Sequence, residues 1–148
     1  MLTNGGGLYA DLSAAENLAF AQRMATGADD PSAIEGVLQR VGLRETGDAR
    51  VRTFSSGMQR RLSLARVFLR DARLLLLDEP YNSLDPAGGA LVDEVLLETK
   101  ARNGAALVVL HDLDRSGVLF DRVIELREGR VARVCRAGAT GRGVRAQA

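Results

Sequence analysis

The segment Leu74-Leu-Leu-Leu-Asp-Glu-Pro constrains this chain more than any other. A short, fully apolar run closed by two carboxylates and a proline reads as a parallel-sheet strand, buried on both faces, with polar residues at its carboxyl end. Ligands of open α/β sheets bind at such ends. Successive strand residues point to opposite sides, so Asp78 and Glu79 can do different jobs. Phosphoryl transfer uses such a pair: one acidic group holds Mg²⁺, usually through water, and the other orients or deprotonates the attacking water. The plainer alternative is an Asp-Glu pair that ends a strand and solvates its turn.

The flanking sequence alternates helices with strands. Ser13 and Glu16 form a capping box ahead of a helix over about Ala14–Ala25. After a polar break at Gly27–Asp30, Pro31 opens a second helix with an apolar stripe of Ile34, Val37, Leu38 and Val41, ending at Gly42. Two consecutive amphipathic helices predict a small helical subdomain. Ser55 caps a third helix with a face of Met58, Leu62, Ala65 and Leu69, running to about Arg70. Asp85-Pro86 caps a fourth, which carries Leu91, Val95, Leu96 and Thr99 toward the Asn103-Gly104 stop. Ala106–Leu110 reads as another buried strand, ending in His111-Asp112. Val123–Leu126 and Val131–Val134 read as a terminal hairpin in which glycine supplies the positive φ. From Ala137 a frayed tail is expected.

Composition narrows the function classes. With 46% apolar and 26% charged residues in 148, the chain can bury a core. Its formal net charge is +1, with basic and acidic residues interleaved, so no nucleic-acid or anionic-membrane footprint stands out. Lone Cys135 makes no internal disulfide, and neither a signal peptide nor a membrane-length apolar run is present, so a cytosolic location is expected.

Four segments, Phe54-Ser-Ser-Gly-Met-Gln-Arg-Arg-Leu-Ser-Leu-Ala-Arg, Leu74-Leu-Leu-Leu-Asp-Glu-Pro, Ser83-Leu-Asp and His111-Asp, follow one another in order. The series resembles that of ATP-binding-cassette (ABC) ATPases from about Leu8 to Val134: the signature motif, Walker B with its glutamate, the D-loop and the switch histidine. The resemblance implies a P-loop NTPase-like α/β fold, a parallel sheet with helices plus the helical subdomain. It implies that Asp78 binds Mg²⁺, that Glu79 is the general base or water-orienting residue, and that His111 contacts the γ-phosphate of ATP. Ser83 and Asp85 would form the D-loop across a head-to-tail dimer of two ATPase subunits. Ser55, Ser56, Gly57 and Met58 would face the nucleotide held by the other subunit; small residues, backbone N–H groups and a positive helix end at that point favour phosphate. A capped helix with no ligand is the bland reading. The motif is Phe-Ser-Ser-Gly-Met where the family most often has Leu-Ser-Gly-Gly-Gln.

Two departures stand out. No G-x-x-x-x-G-K-[ST] is present, and the only lysine, Lys100, lies in the fourth helix, so nothing in the chain cradles the β- and γ-phosphates. Where the family has a Q-loop glutamine the chain offers Asn4 or Gly5; the Asn4 amide oxygen is the candidate ligand for a metal-bound water. The expectation is therefore an ABC ATPase domain over residues 1–136 lacking its N-terminal Walker A part. Residues 8–70 form the helical subdomain and signature helix, 71–136 the Walker B to histidine region, and 137–148 the tail. Such a subunit would couple ATP hydrolysis to transmembrane permease partners at the inner membrane face, and would be marginally folded and inactive alone. Similarity of Gly7–Leu18 and of Asp-Glu-Pro-Tyr-Asn-Ser-Leu-Asp to the haem-exporter ATPases of cytochrome c maturation suggests the subfamily. The rival readings are a degenerate, non-enzymatic cassette that pairs with an intact partner, and a soluble non-transport ABC protein.

Overall fold

The structure, a computed structural model, describes residues 7–70, 72–111 and 119–136. Asn4, Asp112 and the expected tail lie outside the described residues. Two compact units, Met1–Val109 and Leu110–Ala148, divide the chain.

In the first unit the order is α1 (Ala14–Thr26), α2 (Pro31–Arg40), α3 (Ser56–Phe68), β1 (Leu74–Asp78), α4 (Pro86–Ala101) and β2 (Ala105–Val109), with single 3₁₀ turns at Arg44–Thr46 and Val51–Thr53. Local chemistry explains the helix limits. The Ser13 amide donates to the Glu16 carboxylate at 2.7 Å, and the Glu16 amide donates to Ser13 Oγ at 3.1 Å, so two otherwise orphaned donors are satisfied reciprocally. Gly27, at φ +73°, closes α1 in the left-handed region. Asp30 caps α2 by accepting from the amides of Ser32 and Ala33, a role hidden in what reads as a polar break. Pro31 and Pro86 occupy first-turn positions, where a missing N–H costs nothing.

Helices α1, α2 and α3 pack on one another, and α3 also packs on α4, which covers β2. The core is built from Leu18, Leu38, Val41, Leu62, Leu64, Leu77, Val92 and Val95. Because α3 is contacted from several sides, it buries more than the single stripe expected. Arg60, Leu62, Ser63, Leu64 and Ala65 are buried, while Met58 and Leu69 are only half-buried. Arg40 ties three helices together: its guanidinium lies 3.7 Å over the Phe68 ring of α3 and pairs with Glu94 and Glu98 of α4.

Strands β1 and β2 pair in parallel, with Leu74 opposite Ala105 and Asp78 opposite Val109. The expectation of strands buried on both faces is corrected. Leu75 and Leu77 are buried, but Leu74, Leu76, Leu107 and Val109 are exposed. The pleat sends alternate residues to opposite faces, and the described helices cover one of them.

In the second unit, β3 (Arg122–Arg127) and β4 (Arg130–Arg136) form an antiparallel hairpin with an irregularity at Glu125/Leu126. Gly129 has φ +73°, as expected, but Glu128 at φ +49° also enters the left-handed region. A two-residue hairpin turn that follows the right-handed twist of its strands needs positive φ at both central positions.

Candidate functional site

The parallel register brings the carboxyl ends of β1 and β2 level. Beyond Asp78 the backbone turns sharply: the Glu79 amide donates to the Val109 carbonyl at 3.0 Å, and Glu79 itself adopts φ +44°. A left-handed glutamate is uncommon and is held by its surroundings. The Asn82 side-chain amide donates to the Glu79 carboxylate, and the Asn82 backbone amide donates to the Glu79 carbonyl at 3.2 Å. Ser83, at φ +62°, completes the turn before Asp85 caps α4 through the Gly88 amide at 3.0 Å.

One face of α3 meets this turn with residues at i, i+3 and i+4, the spacing that aligns side chains on a helix. A Cβ on Gly57 would come within 3.2 Å of the Ser83 carbonyl oxygen, so the absent side chain permits the close approach. Arg60 Nη2 donates to the Glu79 carbonyl at 2.5 Å and to the Asp78 carbonyl at 3.3 Å. Arg61 pairs with Asp85 at 2.6 Å and donates to the Val41 carbonyl at 3.1 Å. At the amino end of the same helix Ser55 Oγ accepts from the Met58 amide at 3.2 Å. The exposed start at Ser55 and Ser56 leaves first-turn N–H groups with no intrahelical acceptor at the positive helix end.

Electrostatics follow from this packing. Arg60 is 6% exposed and its Nε has no partner; burial lowers its pKa, opposed by the nearby charges of Asp78 and Glu79. The hydrogen bond from Arg61, helped by the Gly88 amide, holds the Asp85 carboxyl below the usual carboxylate range.

The structure therefore gathers Ser55, Ser56, Gly57 and Met58 at one helix start, Asp78 and Glu79 at the strand end, and Ser83 and Asp85 in the turn between β1 and α4. His111 follows β2 by two residues and belongs to the second unit. Three residues that organise this region, Arg60, Arg61 and Asn82, escape the sequence reading, as does Asn17 in the turn before α1. Asn17, 2% exposed, accepts from the Tyr9 amide at 2.8 Å and donates to the carbonyls of Tyr9 and Ser13 at 3.0 and 2.8 Å, fixing the turn before α1. That turn is further held by the Val51 and Arg52 amides, which donate to the Leu12 and Ala10 carbonyls. The i+3 offset of Arg60 from Gly57 was the one available signal for its orientation.

Comparison with known proteins places this geometry. The family model described as ABC transporter matches residues 2–82. The cytochrome c biogenesis ATP-binding export protein CcmA 2 of Cupriavidus metallidurans is 44% identical over 116 residues, covering 78% of this chain and 55% of that protein. A fluoroquinolones export ATP-binding protein of Mycobacterium tuberculosis is 36% identical over 124 residues, covering 83% and 40% respectively. The chain thus spans about half the length of these curated relatives. Among solved structures, an ATP-binding cassette in a dimeric post-hydrolysis state bound to ADP and Pi superposes with a TM-score of 0.80 at 22% identity, covering 92% of this chain and 61% of that one; it shares the fold. A structure described as the ATP binding subunit of an ABC transporter gives 0.76 at 26% identity, covering 89% and 56%. The α/β architecture is that of these cassettes, and the chain belongs to the ABC transporter family.

Proposed function

We propose that this chain is the signature and Walker B part of an ABC transporter's ATP-binding subunit, and that it is similar in subfamily to the cytochrome c biogenesis export ATPases. The observation that carries the reading is the contact of one α3 face, through Gly57, Arg60 and Arg61, with the turn holding Asp78, Glu79, Ser83 and Asp85. A helix start suited to phosphate and a carboxylate pair at a sheet rim are thereby packed together.

Within that reading residues 8–70 serve as helical subdomain and signature helix, and 71–136 as the region from Walker B to the switch histidine. Asp78 is the residue for Mg²⁺. Among the described residues no group of three or more acidic, His or Cys side chains gathers to hold a metal. A cation that keeps its waters and the substrate's phosphate oxygens needs only one or two carboxylates, which Asp78 at the strand end can supply. That ion would neutralise phosphate charge. Glu79 orients the attacking water and takes its proton; His111 contacts the γ-phosphate; Asn4 holds a metal-bound water. Ser55, Ser56, Gly57 and Met58 face a nucleotide held by a second ATPase subunit, with Ser83 and Asp85 at that head-to-tail junction. No described helix is long and apolar enough to cross a membrane, and the subunit acts at the inner membrane face through permease partners.

ATP turnover tests the proposal. The chain alone, with no G-x-x-x-x-G-K-[ST], is expected to hydrolyse no ATP. A protein extended upstream to include that sequence is expected to turn ATP over and to lose the activity in Glu79→Gln. Turnover by the chain alone, or turnover in the extended protein that survives Glu79→Gln, overturns it.

A further inference from the structure

Arg60 is buried, cationic and unexplained by helix packing. Its Nη2 reaches the carbonyls of Asp78 and Glu79, while its Nε lies buried without an acceptor. A desolvated, incompletely paired guanidinium is an unfavourable way to fill space, because an apolar side chain of similar volume fills it without that cost. What only a donor can do here is fix two consecutive carbonyls. Those carbonyls bracket the point where the chain leaves β1 and Glu79 enters the left-handed region at φ +44°. The Glu79 backbone is also held by its amide, which donates to the Val109 carbonyl, and by its carbonyl, which accepts from the Asn82 amide. Arg60 is the side chain that reaches this point from α3, between Gly57, which abuts the Ser83 carbonyl, and Arg61, which pairs with Asp85.

We infer that Arg60 is a positioning residue: by donating to the Asp78 and Glu79 carbonyls from within α3, it holds Glu79 in its left-handed conformation and ties the carboxylate's direction to the helix start at Ser55–Met58. The inference rests on the proposed function only for what Glu79 does; the coupling itself is a property of this chain. A displacement of the α3 start is transmitted to the Glu79 backbone through the Arg60 guanidinium.

The test is solution NMR on the full 148-residue chain, without nucleotide. The reporters are the three-bond HN–Hα coupling of Glu79, which reports its φ, and hydrogen exchange at the amides of Glu79 and Asn82, with α1 amides as reference. In Arg60→Met the Glu79 coupling is expected to leave its left-handed value, and the two loop amides to exchange more than about tenfold faster, while α1 amides are unchanged. In Arg60→Lys, which keeps a cationic donor, the coupling is expected to be retained. A Glu79 coupling and loop exchange unaltered by Arg60→Met overturn the inference. Should α1 amides open together with the loop in Arg60→Met, Arg60→Lys decides: a retained Glu79 coupling upholds the inference, and a lost one assigns Arg60 to packing alone. Because the readout needs no ATP, failure here is distinguishable from failure of the turnover experiment.

Discussion

Replacing Asn17 is the sharpest available probe of how the turn before α1 is held. Its side chain makes three short hydrogen bonds: from the Tyr9 amide at 2.8 Å, and to the carbonyls of Tyr9 and Ser13 at 3.0 and 2.8 Å. At about 1 kcal/mol net for each neutral bond, the gross loss in Asn17→Ala is about 3 kcal/mol. Two effects reduce it. The Tyr9 and Ser13 carbonyls keep the backbone amides of Leu12 and Asn17 as donors, and alanine in a helix gains up to about 0.6 kcal/mol over asparagine. The expected destabilisation is therefore about 2 kcal/mol, read as a lower urea midpoint with unchanged slope. Asn17→Asp keeps the acceptor for the Tyr9 amide but turns a carboxylate oxygen toward carbonyls, so it should cost more than alanine at neutral pH. Its folded-state pKa would be raised. The extra penalty is then fully present above that pKa and is relieved as pH falls toward the unfolded value of about 3.9. A loss in Asn17→Ala below about 0.5 kcal/mol, the net worth of a weak hydrogen bond, or an aspartate variant more stable than the alanine one at pH 7, would refute this account of the turn.

Two other outcomes follow from the geometry. The folded pKa of Asp85 is depressed by Arg61, so the stability this pair contributes is present above the unfolded carboxylate pKa and is lost as pH falls through the depressed folded value. Acid unfolding of Asp85→Asn should accordingly show less dependence on pH in that window than the parent, and an identical acid limb would contradict the assignment. On the outward sheet face, Leu107 is 57% exposed beside Leu76 and Val109. Leu107→Lys should reduce concentration-dependent association in sedimentation velocity while leaving the thermal midpoint within a few degrees, because an exposed side chain contributes little to folding. Undiminished association of the folded variant would show that this face is not the adhesive surface.

Capping chemistry made the helices legible. Ser13 with Glu16, Ser55, Asp85 and the two first-turn prolines are local devices whose hydrogen bonds close within a few residues, so no distant contact is needed to read them. Leu91, Val95, Leu96 and Thr99 were legible for the same reason, since α4 buries one continuous stripe. In α3 the Ser55 cap and the burial of Leu62 and Ala65 were legible, but the burial of Arg60, Ser63 and Leu64 was not, because helices on several sides bury α3 and an arginine within a helix ordinarily reads as solvent-facing. Strand burial failed differently: Leu74–Leu77 is uniformly apolar, so only the positions of the helices decide which alternate leucines face the core.

The sequence by itself determined the order of the chemical segments, the helix starts, and the family those segments announce, because each is written in contiguous residues. Tertiary structure alone decided that Gly57, Arg60 and Arg61 meet the turn after β1, that Glu79 is held left-handed there, and that Asn17 locks the turn before α1. The contacts of Arg60 and Arg61 with that turn join residues 18 to 24 positions apart in the chain, and partners at that distance are chosen by packing, to which no local pattern refers.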